Sequence, residues 1–269
     1  MSLASGEGRY ELKYGMTPER ALALMEALEP YCEAERGLSG GLGRNLPGGA
    51  DRYVITSTYF DTTDLAMYWA KRTHEPERMK LRVRAYGPNC ESPVSFEIKR
   101  RVGDIIIKRR ARAPRVGWEK YLLPGAPDLK ALGFDTRKAK VYEEFFANYI
   151  RLRMRPVVSV RYDRVPFVCR WDDEARVTFD YAIRYAPVNE LVLPPSDADY
   201  RMVDHAWRFN SSQLPVILEL KYDTPAPSWM GDLVRRFDLY RTSFSKYVAV
   251  IEELAEFSVG DRLRIREPG

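Results

Sequence analysis

Residues 79–86 read Met-Lys-Leu-Arg-Val-Arg-Ala-Tyr. Met79, Leu81, Val83 and Ala85 fall on one side of an extended chain; Lys80, Arg82, Arg84 and Tyr86 fall on the other. Alternation of period two predicts a β-strand with one apolar face and one basic face. Residues 94–101 repeat it, with Val94, Phe96 and Ile98 opposite Ser95, Glu97, Lys99 and Arg101. Residues 105–112 set Ile105 and Ile107 against Lys108, Arg110 and Arg112. The short link Val102-Gly103-Asp104 predicts a hairpin turn between these last two strands.

The pattern recurs at both ends of the chain. Tyr10, Leu12 and Tyr14 oppose Arg9, Glu11 and Lys13. Val158, Val160 and Tyr162 oppose Ser159, Arg161 and Asp163, and Val177, Phe179, Tyr181 and Ile183 oppose Thr178, Asp180 and Arg184. Val216, Leu218 and Leu220 oppose Ile217, Glu219 and Lys221. With residues 53–60 as a less regular member, about eight strands result. Helices are expected after the cap Thr17-Pro18-Glu19, over residues 136–153, over residues 229–240, and from Lys246.

The charged face of a single strand is ordinarily solvated. Seven strands sharing the pattern call for a common explanation, and an antiparallel sheet of this size closes readily into a barrel. If the apolar faces point outward under helices, the charged faces line a wet interior, because unpaired like charges are too costly to bury dry. Those faces, with Arg176, carry fourteen Lys and Arg against five Asp and Glu. The whole chain of 269 residues carries +5, so the rest is mildly acidic. The expected fold class is α+β: an eight-stranded antiparallel tunnel barrel with a polar basic interior, flanked by helices, as a single domain over 1–269 with its core at about 9–255.

Composition excludes several chemistries. The two histidines, His74 and His205, and three cysteines, Cys32, Cys90 and Cys169, lie far apart with no zinc-ligand spacing. Isolated cysteines, with neither an apolar run of membrane length nor a signal peptide, predict a cytoplasmic protein with no membrane segment in this chain. The glycine-rich stretch 37–49 lacks the Gly-Lys-Ser/Thr ending of a phosphate loop and is expected to be a connecting loop at the tunnel mouth. Lys80, Arg82, Arg84, Lys99, Lys108 and Arg161 around one channel suit a chain of phosphates, since Arg offers a planar fork and Lys a mobile charge. A nucleic acid duplex is too wide for such a channel, and a single strand would favour aromatic platforms. Glu219 and Glu11, inward among cations, are either ion-pair partners or ligands of a hard divalent cation, Mn2+ or Mg2+, shared with phosphate oxygens.

The motifs YELKY at 10–14, STYFDTTD at 57–64, LRVR at 81–84 and FEIKRR at 96–101 belong together with four further features. These are Arg161, Tyr162-Asp163-Arg164, LELKY at 218–222 and SFSKY at 243–247. In this order, from about Tyr10 to Leu254, they resemble the VTC domain. That domain is the polyphosphate polymerase module of the vacuolar transporter chaperone family, within the triphosphate tunnel (CYTH-like) superfamily. The resemblance implies transfer of the γ-phosphate of ATP or another nucleoside triphosphate to a growing inorganic polyphosphate chain, with a divalent metal. It implies that Lys13, Arg82, Arg84, Lys99, Lys108 and Arg161 bind phosphates, that Glu219 holds the metal, and that Ser245 and Lys246 grip phosphate near the transfer site. Lys80 and Lys221 join the binding set, and Arg82, Arg84, Lys99, Arg161 and Lys246 the catalytic set. Ser245 is equally placed to cap the helix that follows. Arg9 stands where tunnel hydrolases often carry the first acid of an ExExK motif, which favours transfer over hydrolysis. Two alternatives remain: a tripolyphosphate or nucleoside triphosphate hydrolase, and a non-catalytic polyphosphate-binding protein.

Overall fold

The computed structural model describes residues 10–35, 51–103, 105–123, 129, 135–172, 175–203, 215–223 and 225–257. The stretch 37–49 lies outside them. The chain order is β1 (Tyr10–Met16), α1 (Pro18–Ala27), β2 (Cys32–Ala34), β3 (Tyr53–Asp61), α2 (Ala66–Arg72), β4 (Glu77–Tyr86), β5 (Val94–Val102) and β6 (Ile105–Ala113). There follow α3 (Thr136–Arg151), β7 (Arg155–Cys169), β8 (Arg176–Pro187), β9 (Arg201–Met202), β10 (Val216–Tyr222), α4 (Ser228–Arg236) and α5 (Lys246–Phe257). Eight strands form one antiparallel sheet in the order β1-β10-β8-β7-β3-β4-β5-β6, with β2 added to β7 and β9 to β8. The eight expected strands are all present. The short β2 and β9 and the helix α2 are additions that weak local patterning did not mark.

Alternation builds the layers. The apolar positions of β1, of β10, of β7 from Val165 on and of β8 up to Phe179 face outward onto α1 and α4, where Phe167, Phe179 and Leu218 pack against Leu24, Met25, Trp229 and Leu233. Those of β4, β5 and β6 face outward onto α3, where Leu81, Phe96 and Ala111 meet Tyr142 and Phe145. Thr17 caps α1 by accepting from Arg20 N at 3.3 Å, as its position predicts. The β5–β6 hairpin closes with Val102 paired to Ile105, Gly103 at φ +59.

The sheet curls into a half-barrel, and its two edge strands, β1 and β6, share no ladder among the described residues. Side chains span between the two flanks instead: Lys99 of β5 donates to Glu11 of β1 at 3.0 Å. A third cluster lies inside the curl, where Phe244 and the α5 residues Tyr247, Val248 and Ile251 pack with Ile55, Tyr59, Val158, Val160 and Tyr162. Tyr247 stacks on Tyr59 and donates to buried Asp61 at 2.5 Å, and Asp61 also accepts from the backbone of Met67 and Tyr68 to hold α2.

Candidate functional site

Cross-strand register gathers the charged positions on the concave face. Lys13 stands opposite Glu219, and Glu11 opposite Lys221. On the other flank the rungs are Lys80–Lys99, Arg82–Glu97 and Arg84–Ser95, and Lys99 continues to Lys108. Residues directly opposite in a ladder share a face, so these side chains converge across the curl.

Two carboxylate-centred groups result. Glu219 receives Lys13 at 3.1 Å, Lys221 at 2.8 Å, Arg164 at 3.1 Å and Lys246 at 3.4 Å. Asp180, beside it, holds Arg164 through two parallel bonds of 2.6 and 2.7 Å and also pairs with Lys246. Burial alone pushes the Glu219 carboxyl up, but Lys13, Lys221, Lys246 and Arg164 hold it well below the usual range, so it is ionised. Glu97, only 1% exposed, takes Arg82 at 2.6 Å, Lys108 at 3.3 Å and Arg84 at 3.9 Å. Arg84 reaches Ser57 at 3.1 Å and the Tyr162 hydroxyl at 3.2 Å, while Arg82 donates to the Tyr59 hydroxyl at 3.0 Å. Burial pushes the Lys108 ammonium down to about 7; Glu97 resists that shift while Arg84 and Arg82 reinforce it.

Lys80 differs from its neighbours. Among the described residues its partner is the Ser245 hydroxyl at 2.7 Å, not a carboxylate. Burial, with Lys99, Lys13, Lys71 and Arg82 around it, drives its pKa well below the ordinary lysine value. A buried ammonium surrounded by cations is stabilised by an anion. Ser245 also caps α5, one of its two expected parts, by accepting from Val248 N at 3.4 Å in the first turn.

One expected residue lies elsewhere. Arg161 stands opposite Thr56 on the convex face, bonded to Thr56 Oγ1 at 3.3 Å, to the Pro88 carbonyl at 2.8 Å and to Asp197, with its guanidinium 4.7 Å from the Tyr200 ring. The reason is α5. Because this helix fills the curl, β7 turns Val158, Val160 and Tyr162 inward, the reverse of the inferred face. The next residue in that alternation, Arg164, enters the site and sequence reasoning missed it, because the period places Arg164 on the face of Val158, Val160 and Tyr162, which was read as outward. Asp163 and Arg184, also expected inward, pair with each other outside at 3.4 Å, because a bulge at Ala182 (φ +46) shifts the alternation of β8. Glu97 and Asp180 were on the expected inner faces but without an assigned role.

Among the described residues the concave site thus sets nine cations (Lys13, Lys80, Arg82, Arg84, Lys99, Lys108, Arg164, Lys221 and Lys246) against four carboxylates (Glu11, Glu97, Asp180 and Glu219). For a divalent cation, the described residues contain no cluster of three acidic, histidine or cysteine ligands. Glu11 and Glu219 nonetheless converge on the one Lys13 ammonium, at 3.0 and 3.1 Å. Two ionised carboxylates meeting at a point fit the mode in which phosphate oxygens complete the shell, and not an all-protein cage.

A curled antiparallel sheet with this inner face defines a tunnel-type α+β domain with a cationic site. A model of the VTC domain matches residues 8–255, and the chain belongs to that family. Membership supports an activity related to polyphosphate or triphosphate. The PH1819 protein of Pyrococcus horikoshii is similar in structure at 11% identity and a TM-score of 0.46, over 91% of this chain and 99% of that one. A Vibrio parahaemolyticus protein provisionally described as an adenylate cyclase gives 11% and 0.45, over 92% and 99%. No curated protein matches the chain. No helix among the described residues is long and apolar enough to cross a membrane.

Proposed function

We propose that the protein is a metal-dependent polyphosphate polymerase that moves the γ-phosphate of a nucleoside triphosphate onto an inorganic polyphosphate chain. The observation that carries this reading is the cation excess of the concave face, with Lys80 buried among cations and, among the described residues, bonded to a hydroxyl and no carboxylate. A polyanion supplies the charge that the four carboxylates do not. The terminal phosphate of the acceptor is already anionic at neutral pH, so no general base is needed; catalysis consists of alignment and charge neutralisation. Arg82 and Arg84, neighbours on one face of β4, hold the transferring group, and Lys13, Lys99, Lys108, Lys221 and Lys246 hold donor and acceptor in line. Arg164 takes the place expected for Arg161. Mn2+ or Mg2+ would be held by Glu219 and Glu11 as their lysines turn towards phosphate, and would neutralise charge on the transferring phosphoryl group.

Incubation with ATP and manganese, followed by a polyphosphate-stained gel and a phosphate-release assay, tests this. A ladder of long chains is expected. Free phosphate without chains would make the protein a triphosphate hydrolase, a reading that the open curl, accessible to water, also supports. Tight tripolyphosphate binding with neither product would leave only a binding protein.

A further inference from the structure

A cavity of about 470 Å3 lies beside α2 at the end of the β4–β5 pair, lined by Met67, Trp69, Glu75, Arg78, Met79 and Arg101 among others. We propose that it seats the base of the donor nucleotide. The inference rests on the preceding reading of the concave site and adds where the nucleoside lies.

Two observations carry it. The volume falls within the range of small-molecule sites, which pair apolar walls with a few polar groups, and Trp69, Met67 and Met79 offer apolar surface to the flat face of a base. The cavity also adjoins the cation ladder. Arg78 pairs with Arg101, and the next rung on the same face is Lys80–Lys99. Same-face positions on a strand are about 7 Å apart, so phosphates leaving the cavity along β4 meet Arg78, Lys80 and Arg82 in turn. Lys71 of α2 ties the two regions together: it donates to Ser243 at 2.9 Å and lies in the field of Arg78, Arg101 and Lys13. Glu75 and Glu77 on the rim offer acceptors to sugar hydroxyls.

The test compares ATP with methyl triphosphate, which matches its charge without a nucleoside, in EDTA so that turnover does not compete. Wild type should bind ATP roughly tenfold more tightly, about the worth of one stacked base. Ala66→Leu, which fills the cavity from α2, should bring ATP down to the affinity of methyl triphosphate while leaving methyl triphosphate unchanged. If that variant loses methyl triphosphate as well, Trp69→Leu, which removes the flat face and keeps apolar bulk, decides in its place, with the same loss of the ATP advantage expected. Equal wild-type affinities, or an ATP advantage kept in the deciding variant, would overturn the proposal alone. Failure of both ligands to bind wild type would instead overturn the phosphate reading beneath it.

Discussion

Glu97 is the residue on which the β4 side of the site depends. It is buried and shared by Arg82, Lys108 and Arg84, so removing its charge leaves the two buried guanidinium groups with hydroxyl partners in place of a carboxylate. Breaking a buried ion pair from one side costs about 3–5 kcal/mol. Glu97→Gln should therefore lose about that much in urea unfolding, and tripolyphosphate should recover part of it; a loss under about 1 kcal/mol would contradict the role. Lys108 carries the pH dependence. With its pKa pushed down to about 7, it is mostly neutral above that pH in the free protein. A bound polyphosphate favours the charged form and raises the pKa, so binding at pH 8 takes up a proton and weakens as pH rises. Calorimetry in buffers of different ionisation enthalpy should show this uptake, and Lys108→Gln should reduce it, the remainder coming from Lys80, whose pKa is also lowered.

At the scale of elements, β7 and α5 determine one another. The helix inside the curl makes the inner positions of β7 apolar as far as Tyr162, and only then does Arg164 reach the carboxylates. Arg161→Met should leave tripolyphosphate affinity within about twofold of wild type. Arg164→Gln should weaken it at least about tenfold, the scale of one charge-assisted hydrogen bond. The reverse ranking, in the same titration, would put the opposite face of β7 in the site. Tyr247→Phe removes the bond to Asp61 and should cost about 1 kcal/mol in denaturant unfolding without changing the slope.

For the whole molecule, the cation excess is a store of repulsion that an anionic ligand relieves. Tripolyphosphate at a hundred times its dissociation constant should stabilise the fold by about 2.7 kcal/mol, seen as a rise in Tm. Raising the salt concentration should weaken binding, because the most exposed cations, Lys99 and Lys108 at 35% and 44%, are the ones solvent ions screen. A Tm indifferent to tripolyphosphate would remove the basis of the proposed function.

Period-two alternation in the sequence determined the eight strands, and β10 runs over residues 216–222 as the pattern placed it. Alternation also identified the faces of β1, β4, β5, β6 and β10, so Lys13, Lys80, Arg82, Arg84, Lys99, Lys108, Glu11, Glu219 and Lys221 could be gathered before any coordinates. Two things were beyond its reach. Alternation divides a strand into two faces but does not say which is inside, and on β7 that depended on a helix some ninety residues further along the chain. Nor does a list of charges say which are shared. That, among the described residues, Glu97 serves three cations, Glu219 four, and Lys80 bonds to a hydroxyl follows from distances across the curl, which the tertiary structure alone sets. The sequence determined the charges available to the site; the packing of α5 against the sheet decided which of them face the ligand.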